Sequence, residues 1–180
     1  MRSIRRGVVL AALAIAFVAA IPASADAQWF IAGSAGMSGF SGDDFDGIDA
    51  GFQAQGAIGS RVGGGKFSLA GLFGYSNHGV SESESSIDAI TVEAQAAVRV
   101  GPEEGTAAFI GARGGYASIG DDEKVNGLII GPVAGVGFPL GGRTTLGVAG
   151  DWQFLSLSDD VGGSKWGVGV YLLVGLGGGS

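Results

Sequence analysis

The sequence has 180 residues, no cysteine, and 17 acidic side chains against 10 Lys and Arg. The absence of cysteine excludes a disulfide scaffold, and the acidic balance excludes a nucleic-acid-binding protein, because binding phosphates needs lysine and arginine. Glycine accounts for 37 residues and proline for only 4, without a period of three, which excludes collagen. With 46% hydrophobic residues, a low-complexity disordered chain is excluded as well.

The first 25 residues have the three parts of a secretory signal peptide. Three arginines within residues 2–6 form a positive n-region, residues 8–21 form an apolar h-region, and the small residues 23–25 form a cleavage site. We therefore expect residues 1–25 to be removed and residues 26–180 to form one exported domain. Its net charge would be 7 − 17 = −10, since three of the 10 basic residues leave with the signal. No later apolar run reaches the ~18 residues of a transmembrane helix.

The mature chain alternates apolar with small or polar residues in eight segments of strand length. Strand side chains point alternately to opposite faces, so each segment presents one apolar face. The segments are residues 29–38, 50–62, 66–76, 87–100, 106–118, 128–138, 144–155 and 166–176. The last is eleven residues long, and a tilted strand crosses a bilayer's hydrocarbon layer in ~9–11 residues. Pro132 cannot donate a ladder hydrogen bond, so we expect a bulge or a local break in the sixth strand.

The connections between these segments alternate in length. The short ones, rich in turn-forming residues, are residues 63–65, 101–105 and 139–143. The longer ones are residues 39–49, 77–86, 119–127 and 156–165. With an even number of strands, the long loops gather at one end and the short turns at the other, as in bacterial outer-membrane barrels. The pattern predicts an all-β fold, an eight-stranded antiparallel up-and-down transmembrane β-barrel.

On these segments and loops, the whole mature chain resembles the small eight-stranded outer-membrane β-barrels, the group of the OmpA barrel and OmpX. The resemblance implies a bacterial outer-membrane protein in contact with outer-membrane lipid. We expect it to be a monomer. It differs from that group at its last strand, which ends at Leu176 where such proteins typically finish on an aromatic residue.

The second face of the strands carries charges of both signs, which identifies candidate lumen residues. An eight-stranded barrel is just wide enough for side chains to fill it, and buried charges must pair. We predict a lumen network in which Glu93 and Asp151 meet Arg99, Arg113 or Arg61. The alternative is a soluble exported β-barrel whose charged face meets water and whose interior carries a small ligand.

Eleven of the 17 acidic residues fall on the four long loops. In the first of these loops, Asp43, Asp44 and Asp46 are candidate ligands for Ca²⁺ or Mg²⁺, which bind carboxylate oxygens. A cation held there would bridge the loops to anionic lipopolysaccharide. The segment lacks the spacing and terminal Glu of a twelve-residue Ca²⁺ loop, so a solvated, self-repelling loop tip is the alternative.

Catalytic residues are sparse. His78 is the single histidine, and Ser76, Ser81, Glu82 and Glu84 lie near it in the sequence, so a Ser-His-acid arrangement is conceivable. No nucleophile motif surrounds Ser76, and eight strands are too few for a diffusion pore, which needs ~16–18. We therefore expect a non-enzymatic structural or surface-interaction barrel without a cofactor, with a lipid A-modifying enzyme as the alternative.

Overall fold

The computed structural model describes residues 28–81, 85–102, 105–120, 124–158 and 161–176. It is a closed barrel of eight antiparallel strands, each hydrogen-bonded to its neighbours in sequence and the last to the first. The strands are β1 Gln28–Ser41, β2 Gly51–Val62, β3 Phe67–Gly79, β4 Ser86–Val100, β5 Ala107–Gly120, β6 Val125–Gly141, β7 Thr144–Leu157 and β8 Gly162–Leu176. The predicted fold class is confirmed. The predicted signal peptide, residues 1–25, lies outside the described residues.

The strands extend further toward the long loops than the apolar pattern predicts. β8 begins at Gly162 instead of residue 166, and β6 begins at Val125 instead of residue 128. The added residues are still paired, for example Ser41 with Ser164. The apolar alternation ends where the hydrocarbon layer ends, but the backbone ladder continues beyond it, because its hydrogen bonds need a partner strand and no apolar side chain.

The outward face of the barrel carries a continuous apolar band. Its exposed large side chains include Ile31, Phe52, Phe67, Phe73, Ile110, Ile130, Phe154, Val168, Val170 and Leu172. At its long-loop edge the band gives way to a polar cluster, where the Tyr75 hydroxyl and the Asn77 amide donate to Asp88 Oδ1 at 2.9 and 2.8 Å. An exposed apolar surface this extensive is stable in lipid, not in water. Among the described residues no helix is long and apolar enough to span a membrane.

β6 contains two prolines, Pro132 and Pro139, and its pairing with β7 is irregular next to each of them. On the β7 side, pairing is interrupted between the pairs Ile130–Phe154 and Val133–Asp151, beside Pro132, but the register is the same on both sides. The register shift lies instead between Pro139 and Gly141, next to the short turn. The local break at Pro132 follows from its missing N–H, and the bulge forms where the strand is already ending.

Candidate functional site in the barrel lumen

The lumen is divided along its axis into three parts. An apolar cluster fills the long-loop end, charged and polar side chains fill the middle, and a cavity occupies the short-turn half. The inward-facing side chains therefore change along the barrel axis, from apolar at the long-loop end to charged and polar in the middle.

The apolar cluster, called the plug below, closes the long-loop end of the lumen. Its buried members are Phe40, Phe45, Ala89, Ala117, Ile119, Ile129, Leu155 and Leu157. Phe45 belongs to a 3₁₀ turn, Asp43–Phe45, in the β1–β2 loop, and its ring stacks on Phe40 with centroids 4.9 Å apart and planes at 14°. The loop thus folds back into the barrel mouth, anchored by an apolar side chain. The plug was not predicted from the sequence, although the inward-facing positions of β4 to β7 become apolar beyond their polar residues, toward the long loops.

Arg113 is the centre of the charged middle layer. Its Nε lies 3.5 Å from Glu93 Oε2, its Nη2 contacts Asp151 Oδ1, and its Nη1 donates to Gln55 Oε1 at 3.1 Å. The side chains of the three charged residues are almost fully buried, at 3%, 1% and 6% exposure for Arg113, Glu93 and Asp151. Gln153 Nε2 also donates to Glu93 Oε2. Such a buried layer is stable only because each charge meets an opposite one.

Lys165 also belongs to this layer, although it was not among the residues predicted for the lumen. It is buried, its Nζ donates to Gln53 Oε1 at 3.2 Å, and its ammonium is attracted by Asp151 and Glu93. With Lys165 the layer holds two cations and two carboxylates, so its formal charge is zero. The predicted eighth strand began at residue 166, which left Lys165 in a loop. The rule that strands may extend beyond the apolar band would have placed it inside.

Arg61 and Arg99 lie at the short-turn ends of β2 and β4, away from the two carboxylates. The Arg61 guanidinium sits 5.7 Å from the centroid of the Phe30 ring, and Arg99 Nη2 donates to the Pro102 carbonyl at 2.8 Å. Of the three arginines named for Glu93 and Asp151, Arg113 is therefore the one at ion-pair distance. The other two line the cavity.

His78 and Ser76 are brought together inside the barrel. Ser76 Oγ lies 3.0 Å from His78 Nε2, Ser38 Oγ lies 3.4 Å from it, and His78 Nδ1 lies 3.2 Å from the Asp49 carbonyl oxygen. A carbonyl only accepts, so Nδ1 carries the proton and Nε2 accepts from Ser76. His78 and Ser76 are 0% and 2% exposed, and the third partner is a backbone carbonyl instead of a carboxylate. The arrangement is a satisfied buried histidine closed off from lipid and water.

The predicted metal ligands lie on the surface of the β1–β2 loop. Asp43, Asp44 and Asp46 are exposed, and Asp44 Oδ2 accepts from the Gly162 N–H at 2.9 Å, which ties this loop to the start of β8. No group of three or more His, Cys, Asp or Glu residues is arranged to hold a metal ion in the part of the chain that the structure describes. The acidic residues 82, 84, 121–123, 159 and 160 of the other loops lie outside that part.

Gly167 gives the middle layer its space. A Cβ added there would stand 2.7 Å from Gln53 Nε2 and 2.8 Å from Asp151 Oδ1, whereas a Cβ at Gly56 on the outward face of β2 would meet nothing within 4 Å. Gln53 is held by Lys165 and Asp151 by Arg113, so both side chains would have to give up these contacts to make room. We therefore expect Gly167→Ala to lower the free energy of unfolding by about 1–3 kcal/mol. Gly56→Ala, the matched control, should leave it unchanged or raise it slightly. Urea unfolding in phosphatidylcholine vesicles, followed by tryptophan fluorescence, measures both, and equal values would contradict the packing of this layer.

Comparison with known proteins agrees with this architecture. The model of the outer membrane protein beta-barrel domain family matches residues 8–173. The chain belongs to this family. No curated protein matches the sequence.

Two solved structures are similar to this chain, and the first of them shares its fold. Neisserial surface protein A is 13% identical, with a TM-score of 0.69, and the match covers 82% of this chain and 97% of that one. Ail, the attachment invasion locus protein of Yersinia pestis, solved in complex with the heparin analogue sucrose octasulfate, is 19% identical. Its TM-score is 0.49, over 82% of this chain and 99% of that one. Family membership and fold support an outer-membrane location.

Proposed function

We propose that the chain is a non-enzymatic surface barrel whose acidic long loops contact lipopolysaccharide through divalent cations. The observation that carries the proposal is the closure of the lumen. The plug and the charge-paired middle layer fill the long-loop half, so the loops are the surface that remains accessible from that side. Those loops hold eleven of the 17 acidic residues.

The exposed carboxylates of the first loop are what a shared cation would bind. Phe45 is buried in the plug and anchors the loop, while its neighbours Asp43, Asp44 and Asp46 are exposed. Two anionic partners repel each other unless a cation lies between them, and Ca²⁺ takes six to eight oxygen ligands. A loop with a few carboxylates supplies part of such a shell, and the phosphates of lipopolysaccharide would complete it.

Binding of lipopolysaccharide tests this proposal. We expect the barrel in phosphatidylcholine nanodiscs to bind purified lipopolysaccharide with Ca²⁺ and to lose binding with EDTA, because the bridging ion is removed. Asp43→Asn, Asp44→Asn and Asp46→Asn together should weaken Ca²⁺-dependent binding several-fold. The matched control is Glu103→Gln with Glu104→Gln, which removes carboxylates from the sequence between β4 and β5. Binding that is insensitive to EDTA, or equally weakened in both variants, would contradict the proposal.

The contact between Ser76 and His78 is the observation on which a competing function, a lipid A-modifying enzyme, would rest. Their 3.0 Å contact has the chemistry of an activated serine. Because both side chains are buried in the lumen, we expect no substrate to reach them. Cells carrying His78→Ala should therefore show the same lipid A mass spectrum as cells carrying the unaltered protein, and a species lost in the variant would establish the enzyme instead.

A further inference from the structure

The short-turn half of the lumen contains a cavity of about 660 Å³. Its walls reach from Gln53 and Arg113 in the middle layer to Gly65, Gly105 and Gly142 in the three short turns. The cavity therefore opens at the end that faces the periplasm in outer-membrane barrels, and the plug closes the opposite end. Small-molecule sites in proteins have volumes of about 300–1,000 Å³.

One wall of this cavity is apolar. Phe30, Ala70 and Leu173 form a buried cluster there, and Leu72 and Tyr171 pack against it. Phe109 lines the cavity too, with its ring edge-on to Tyr171 at a centroid distance of 6.0 Å and an interplanar angle of 73°. An aromatic or aliphatic body can replace water against such a wall.

The mouth of the cavity is cationic. Arg61, Arg99 and Arg143 line it near the short turns, and Asp151 lines its inner end in the middle layer, where it is paired with Arg113. The Arg61 side chain lies over Phe30 and that of Arg99 is held by the Pro102 carbonyl, so both guanidinium groups have defined positions beside the apolar wall. A guanidinium donates two parallel hydrogen bonds to a carboxylate, sulfonate or phosphate.

We propose that this cavity binds a small amphiphilic anion from the periplasmic side, its acidic group at Arg61 and Arg99 and its apolar body against Phe30, Leu173 and Phe109. This site lies at the opposite end of the barrel from the acidic loops, so it is independent of lipopolysaccharide binding. The shared chemistry of its ligands is a carboxylate, sulfonate or phosphate on an apolar body.

Naphthalene-2-sulfonate, measured by equilibrium dialysis, is a suitable probe of the site. The full-length barrel is used in phosphatidylcholine nanodiscs, with empty nanodiscs subtracted. We expect one saturable site, and about tenfold or greater loss of affinity in the double variant Arg61→Gln with Arg99→Gln, because charge-assisted hydrogen bonds are removed. The neutral analogue naphthalene-2-sulfonamide should bind more weakly by a similar factor. Lys66→Gln, which removes an exposed cation from the β2–β3 turn outside the cavity, should leave affinity unchanged.

A second variant separates loss of charge from loss of space. Ala57 lines the cavity, so Ala57→Phe should fill it and abolish binding with the arginines intact. Each variant is first checked for a heat-dependent shift in gel mobility, and Ala57→Phe decides the matter if the arginine variant does not assemble. Absence of saturable binding, equal losses in the Arg61/Arg99 and Lys66 variants, or full binding by Ala57→Phe would overturn the proposal.

Adding phosphatidylglycerol to the nanodiscs distinguishes two sources of the ligand. If its anionic headgroup competes with naphthalene-2-sulfonate, the occupant is a membrane lipid anion. If affinity is unchanged, the occupant is a soluble one. Both results support the same binding chemistry at Arg61 and Arg99, since both require a saturable site to be present.

Discussion

Replacing Arg113 with methionine is expected to lower the free energy of unfolding by about 3–5 kcal/mol, because breaking a buried ion pair from one side leaves uncompensated charge. Arg113 lies between Glu93 and Asp151, all three almost fully buried. Without it, two carboxylates would share the middle layer with the single cation of Lys165. Equilibrium urea unfolding in phosphatidylcholine vesicles, followed by tryptophan fluorescence, measures the change.

Two further variants make this prediction specific. Lys66→Met removes a cation from an exposed turn and should change stability by no more than about 0.5 kcal/mol, as surface substitutions usually do. Adding Glu93→Gln to Arg113→Met should restore most of the loss, because the layer then again holds one cation, Lys165, and one carboxylate, Asp151. If Arg113→Met were as stable as Lys66→Met, the middle layer would not be held together by its ion pairs.

Placing an arginine on the lipid-facing side of β8 is expected to have the second large effect. Val170 is outward-facing, 51% exposed, and flanked by Ala35 of β1 and Val148 of β7 in the apolar band. We expect Val170→Arg to cost about 2–4 kcal/mol, the penalty for a cation near the bilayer midplane of a barrel. The same vesicle unfolding experiment measures it.

Ser86 provides the matched control for this substitution. It is exposed and begins β4 at the long-loop end, beyond the apolar band, so Ser86→Arg should cost no more than about 1 kcal/mol, the value near an interface. Similar losses for the two variants would mean that Val170 does not face the hydrocarbon layer.

The strands and their faces could be predicted because the barrel is built on a period of two. The lipid-facing side of β8, from Trp166 to Leu176, is apolar at every second position. Every strand shows this pattern because side chains that contact the hydrocarbon layer must be apolar. The strand ends could not be predicted equally well, because the backbone ladder extends to Gly162 in β8 and Val125 in β6, beyond the lipid-facing apolar residues. Backbone hydrogen bonds form whatever the polarity of the side chains, so the side-chain pattern does not show where the pairing ends.

Glu93, Arg113 and Asp151 could be named from the sequence as inward-facing residues, but Lys165 and the pairing of the charges could not. Which inward side chains meet depends on the axial stagger of neighbouring strands, which alternation alone does not determine. Arg113 is directly paired with Gln95 of β4, two positions beyond Glu93, whereas Arg99 is paired with Phe109 near the short turns. The plug was missed for a related reason, since Phe45 reaches the lumen from a loop and belongs to no alternating segment.

Gel mobility in SDS of the protein from outer-membrane fractions, boiled against unboiled, tests the central claim most directly. A closed barrel whose apolar band lies in lipid resists SDS until it is heated, so we predict two different mobilities and recovery of the protein from the outer membrane. A single mobility, with the protein in the periplasmic fraction, would contradict the transmembrane barrel.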